Sequence, residues 1–308
     1  MSIDSKQSRE PLRQGGARAY LLAARPQTLT AALSPVIVGW AAAFGLGEYE
    51  FNLLPALAAL LGALLLQIAA NFANDLSDYR RGADGPERLG PIRAAASGLL
   101  TEKQLFRAVI FTFILAGIPG IYLIVTAGWI VLVIGLAGII AGVTYVGGPW
   151  PYGYRGLGEV FVFTFFGVIA VSGTFFVQTG SVNSEIILLS MPVGMTVTAI
   201  LVVNNVRDLA LDRAVGKRTL AVILGSKASR YLYLIMLLIA YLIPTILPIF
   251  FADLSWWLLV VWLSFPLILS PVRTVLRDDP GPTFNAALRA TARLHLGLGL
   301  LLSFGICM

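Results

Sequence analysis

Charge is scarce in this chain: of 308 residues only 12% are Asp, Glu, Lys or Arg, while 57% are hydrophobic. Soluble domains carry about a quarter charged residues, so a soluble globular fold is excluded. Cysteine is nearly absent, since Cys307 stands alone, which rules out an internal disulfide and a cysteine-cluster metal site. His295 is the single histidine, expected to be a packed or interfacial residue. The period-2 alternation of a transmembrane barrel is missing. The polar first 19 residues lack the apolar core of a cleavable signal.

Long apolar runs are abundant. Segments of about 20 such residues cross a bilayer as helices, and the sequence divides into nine of them, roughly 20–44, 52–74, 105–126, 129–147, 158–178, 186–206, 231–251, 255–272 and 285–305. The expected fold is all-α: a polytopic membrane protein, a bundle of nine transmembrane helices with cytoplasmic active-site loops. A tail over 1–19 precedes a single domain over 20–308. All 22 Lys and Arg fall in the tail, in the loops after even-numbered spans, or in the adjoining first turns. The opposite loops hold only Glu48, Glu50, Glu185 and Asp253. The positive-inside rule therefore places the N-terminus and the basic loops in the cytoplasm, which makes this an integral protein of the cytoplasmic (inner) membrane. The net charge of +6 is explained by topology and by anionic lipid headgroups and needs no nucleic acid.

Against this background the stretch NFANDLSDYRRGADG (71–85) stands out. At helical spacing Gln67, Asn71, Asn74, Asp75 and Asp78 form one polar stripe at the end of the second span. A second stripe, Asn204, Asp208 and Asp212, recurs at every fourth position. The pair Asn71/Asp75 reappears as Asn204/Asp208, which reads as a weak internal duplication. Carboxylates near a helix C-terminus oppose the macrodipole, and within a span each costs on the order of 2.5–3.5 kcal/mol at the centre, less near the ends. Twice-repeated clusters are poorly explained as caps. Hard oxygen donors of this kind suit Mg2+, which binds through a few carboxylates together with phosphate oxygens. Neighbouring Arg and Lys would take the remaining phosphate charge. In a membrane this combination suggests a lipid diphosphate. Paired polar helices also occur in ion-coupled carriers, but their sites lie near the midplane, whereas both stripes here lie at one end.

With these residues in hand, the chain resembles the UbiA superfamily of intramembrane prenyltransferases, and within it most closely the MenA branch, which acts on 1,4-dihydroxy-2-naphthoate. The resemblance rests on the block Asn71 to Asp84, on the block Asn204 to Leu220, on GPIR at 90–93 and on YVGGPWPYGYRGLGE at 145–159. It implies a Mg2+-dependent transfer from polyprenyl diphosphate to the naphthoate with decarboxylation, and 4-hydroxybenzoate or homogentisate are the alternative acceptors. Asp75, Asp78, Asp84, Asp208 and Asp212, with Asn71, Asn74 and Asn204, would hold the metal. Arg80, Arg81, Arg93, Arg207, Lys217 and Arg218 would balance the diphosphate. Tyr145, Tyr152 and Tyr154 would wall the cation, Arg155 would meet an anion, and Glu159 would orient Arg155 or act as base. The TEKQ run at 101–104 matches a helix capping box.

Overall fold

The computed structural model describes residues 14–46, 50–83, 89–90 and 93–308. Most of the tail predicted over 1–19 lies outside them, as does Asp84. Among the described residues helix is the only regular secondary structure. Helices α1 (Ala17–Ala24) and α2 (Thr30–Gly45) are joined by a short 3-10 turn, and the pair bends by 52°. Pro26 opens that turn, where its missing N–H removes no helical bond. Helices α3 (Leu53–Arg80), α4 (Glu102–Ala127) and α5 (Trp129–Thr144) follow. The capping box appears as expected: Gln104 N–H donates to Thr101 Oγ1 and the Thr101 N–H donates to Gln104 Oε1.

The next span runs from α6 (Gly158–Val162) through a π-helical stretch, Phe163–Ile169, into α7 (Ala170–Thr179). Beyond it lie α8 (Ser184–Arg207), the short α9 (Leu209–Ala214), α10 (Leu220–Phe250), a bent pair made of a 3-10 segment (Trp256–Ser264) and α11 (Pro266–Arg277), and finally α12 (Phe284–Cys307). Pro266 sits at the 51° bend of that pair.

Six helices among the described residues are long and apolar enough to cross a membrane, and eight spans result if each bent pair counts as one. The remaining segment of the nine expected is α5. Its 16 residues rise about 24 Å, short of a hydrocarbon core of about 30 Å. The apolar run continues past Thr144, but the following residues turn out of the helix toward the aromatic loop at 145–157.

Two buried clusters hold the bundle. One gathers Val38, Phe175, Leu189, Tyr233, Leu258, Leu298 and their neighbours, which joins α2, α7, α8, α10 and α12. The other packs Ala19 and Ala23 of α1 with Phe72, Leu76, Leu100, Leu105 and Val109. Lipid offers no hydrophobic drive between spans, so close approach through small residues is the main attraction. Gly305 shows it: a Cβ there would lie 2.5 Å from the Trp257 carbonyl oxygen. His295 is a packed core residue, fully buried with Nδ1 2.8 Å from Thr196 Oγ1.

Candidate functional site

The first acidic stripe occupies the last four turns of α3, and the second lies at the α8–α9 junction. Asp78 is the hub of the assembly. Only 1% exposed, it accepts from Arg93 Nη2, from Lys217 Nζ at 3.2 Å and from Tyr154 Oη at 3.2 Å. Lys217 comes from the loop between α9 and α10, 139 positions away, so this contact ties the first motif to the second. Its ammonium also lies 4.8 Å from the Tyr154 ring centroid, a favourable cation–π placement. The Arg81 guanidinium stands 5.5 Å from the same centroid and donates to the Gly148 carbonyl. Burial, then the charge of the Asp78 carboxylate it bonds, hold the Tyr154 phenol well above its ordinary pKa, so it remains a donor.

In the second motif Arg207 is 2% exposed and grips three groups at once. Its Nε and Nη2 donate to both oxygens of Asp208 at 2.8 and 2.6 Å, Nη2 also to Asn204 Oδ1 at 2.9 Å, and Nη1 to Asn285 Oδ1 at 2.9 Å. Asn285 in turn donates to the Leu89 carbonyl, which fastens α12 to the loop after α3. This planar two-point grip on a carboxylate is one that lysine could not supply. Asp212, on α9, accepts the Lys217 backbone N–H at its carbonyl, 2.8 Å away.

Both motifs open on one cavity of about 1020 Å³. Of the residues singled out in the sequence, Asn71, Asn74, Asp78, Arg93, Tyr145, Tyr152, Tyr154, Asn204, Arg207, Asp208, Asp212 and Lys217 line it. The rest of its wall is largely apolar and descends between α3, α4, α5 and α7, with Ala63, Leu66, Ile139 and Val177 among its residues. The shape suits a molecule with an anionic head and a hydrocarbon body.

Asp75, Arg80, Arg155 and Glu159 do not line the cavity, while Asn71 and Tyr152 line it and also brace the fold. Asp75 is fully buried and accepts the Ala94 N–H at 3.0 Å, an anchor for the loop leading to α4. Asn71 spends its amide N–H groups on the Ala24 carbonyl and Thr28 Oγ1, at 2.8 and 2.9 Å, and so secures the α1–α2 elbow. Arg80 turns outward to Glu102 at 2.8 Å. Arg155 lies over the Trp150 ring, 5.1 Å from its centroid, and does not line the cavity. Glu159 is buried and accepts from Asn205 Nδ2 at 2.9 Å, so its partner is Asn205 where Arg155 was expected. Tyr152 donates to the Ala141 carbonyl and stacks on Phe161 at 3.9 Å, a rigid aromatic floor beside Tyr145.

Arg25, Asn205 and Asn285 were missed by sequence reasoning. Arg25 lines the cavity from the elbow with a left-handed backbone, φ 52°, the single non-glycine among the described residues with positive φ. Such strain costs on the order of 1–3 kcal/mol and clusters at functional sites. Its sole trace in the sequence is the following Pro26, which disfavours the α region for its predecessor.

The donors are hard oxygens, and buried Asn74 Oδ1 makes no hydrogen bond among the described residues. No three Asp, Glu, His or Cys side chains among the described residues are close enough to hold an ion alone. The set fits a metal such as Mg2+ that takes part of its coordination from a ligand's phosphate oxygens, and the described residues form no closed protein cage.

An all-helical membrane bundle with paired carboxylate–cation motifs heading an apolar cavity defines an intramembrane enzyme that handles an amphipathic anion. Residues 32–294 match the UbiA prenyltransferase family, and the chain belongs to that family. It is thus an intramembrane prenyltransferase. It is 36% identical over 296 residues to the 1,4-dihydroxy-2-naphthoate octaprenyltransferase of Escherichia coli, covering 94% of this chain and 95% of that protein. The Bacillus subtilis protein of the same name is 34% identical, covering 92% of this chain and 90% of the other. Among solved structures, a UbiA homologue from Aeropyrum pernix superposes with a TM-score of 0.69 at 18% identity, over 91% of this chain and 99% of that one. A UbiA homologue from Archaeoglobus fulgidus bound to GPP and Mg2+ gives 0.65 at 15%, over 92% and 99%. These likenesses show a shared fold.

Proposed function

We propose that this chain transfers a polyprenyl group from polyprenyl diphosphate to 1,4-dihydroxy-2-naphthoate, with loss of the carboxyl group as carbon dioxide, toward demethylmenaquinone. One observation carries this reading: the Lys217–Asp78 contact joins two acidic, cation-laced motifs at the head of one apolar cavity. The relatives of 34–36% identity that bear the naphthoate name support the acceptor. The positive-inside pattern supports a cytoplasmic position for the polar head of the cavity and for the N-terminus, in the inner membrane.

Arg93, Arg207 and Lys217 face the head of the cavity and would balance the diphosphate as it departs, a preorganised electrostatic contribution. Asp78, Asp208 and Asp212, with Asn74 and Asn204, would hold Mg2+, while Asn71 and Asp75 brace that set through the elbow and the Ala94 loop. An ion bound there would screen the phosphate oxygens and make the diphosphate a better leaving group. Breaking the allylic C–O bond leaves its electron pair on the diphosphate and a positive charge on the prenyl carbon. Tyr145, Tyr152 and Tyr154 offer π faces to that charge, and the apolar wall keeps out water that would capture it. The ring carbon bearing the carboxylate supplies the new C–C bond. The C–C bond to the departing carbon dioxide then returns its pair to the ring, so the product is the quinol and its oxidation gives the quinone. Glu159 acts through Asn205, whose amide it fixes at the cavity wall. Arg80 and Arg155 serve the surface.

The test is an assay of the protein in lipid nanodiscs with octaprenyl diphosphate and either the naphthoate or 4-hydroxybenzoate, with and without Mg2+. Product from the naphthoate alone, and only with Mg2+, is expected. Product only from the benzoate would overturn the acceptor, and no product from either would overturn the prenyl-transfer reading.

A further inference from the structure

The helical glycines of this bundle range from tightly packed, through ordinary contact at Gly62, Gly138, Gly142 and Gly173, to fully open. Gly39 and Gly305 are packing glycines, where an added Cβ would lie 2.7 Å from Thr174 Cβ and 2.5 Å from the Trp257 carbonyl oxygen. Gly117 and Gly120 on α4 and Gly135 on α5 are different: an added Cβ would meet nothing within 4 Å. None of these three has the positive φ that would require glycine. In a helix interior each is less favourable than alanine, so neither packing nor backbone geometry accounts for them. All three line the cavity below the acidic motifs. The same arm of the cavity is lined by Ile121, Leu132 and Leu136, which are 65%, 44% and 51% exposed, so it opens sideways onto the surface that meets lipid.

We propose that Gly117, Gly120 and Gly135 are specificity-determining residues that keep this arm wide enough for the distal isoprene units of a long donor, and so set which prenyl tails the enzyme accepts. The inference rests on the reading of the substrate as a prenyl diphosphate and adds the residues that select its length. A short tail would end above the glycines. A long tail must pass between them, where a side chain on either helix would take its space.

The experiment compares kcat/KM for geranyl and octaprenyl diphosphate in wild type, Gly117→Leu, Gly135→Leu and Gly120→Ala, with the lipid-facing Val133→Leu as control. Leucine favours helix more than glycine does, and activity with geranyl diphosphate reports that each variant is folded. The leucine variants are expected to lose octaprenyl activity by at least about tenfold more than geranyl activity, as filling a hydrophobic subsite does. Gly120→Ala should shift the ratio the same way by less, and Val133→Leu should not shift it. An unchanged ratio, or equal losses with both donors, would overturn the assignment while wild-type turnover still upheld prenyl transfer. A wild type inactive with both donors would overturn both.

Discussion

Asp78→Asn is expected to lower kcat by roughly 100- to 1000-fold, the scale on which removing one preorganised electrostatic group acts. The substitution is nearly isosteric, yet it removes the charge that holds Arg93 and Lys217 and that accepts from Tyr154. Two cations would then face each other across the head of the cavity without their common counter-ion, and a hard donor for the metal would be lost. Lys217 is the bridge between the motifs, so its release separates the two halves of the site. Steady-state turnover at saturating Mg2+ checks this, with circular dichroism to confirm helix content. Near-normal turnover would remove Asp78 from the machinery.

Arg207→Leu is expected to be the most damaging single change to stability. Arg207 is almost wholly buried, and its guanidinium satisfies Asp208, Asn204 and Asn285 together. Breaking a buried pair by removing one partner costs on the order of 3–5 kcal/mol, because the remaining carboxylate has no counter-charge. The loss of the Asn285 contact also loosens α12 from the loop at Leu89. Arg207→Lys separates the two effects. It keeps the charge, so much of the stability should return, but a point ammonium cannot reproduce the two-pronged geometry, so turnover should stay at least about tenfold low. Thermal unfolding in detergent and turnover, measured on both variants, test this; equal stability of Arg207→Leu and wild type would contradict it.

The parts of the site that could be read from the sequence were those carried on a single helix. Asn71, Asn74, Asp75 and Asp78 share one stripe because 3.6 residues make a turn, and Asn204, Asp208 and Asp212 recur on the same principle. Apolar length likewise revealed the spans, although α5 ended earlier than its hydropathy suggested, where the chain leaves the helix for the aromatic loop. The division of labour inside a stripe was not legible. Asp75 and Asp78 lie three residues apart, yet one braces the Ala94 N–H and the other heads the cavity, because each meets a different neighbour. Arg25 and Asn285 reach the site from the first and last helical regions, and no local pattern marks such long-range arrivals. Arg80 and Arg155 carried the right charge in the right blocks, but Glu102 and Trp150 hold them elsewhere. The open glycines of α4 and α5 look in sequence like the packing glycines of α2 and α12; only the space beside them distinguishes the two kinds.

The most direct test of the central claim, that both motifs hold one diphosphate through a shared metal-assisted site, is binding of an unreactive prenyl diphosphate analogue, geranyl thiolodiphosphate, measured by titration calorimetry. It would be done with and without Mg2+ on wild type, Asp78→Asn and Asp208→Asn. Tight binding by wild type only with Mg2+, lost or weakened by about tenfold or more in each variant, is the predicted result. Binding that is indifferent to Mg2+, or unchanged when either motif loses its aspartate, would contradict the account.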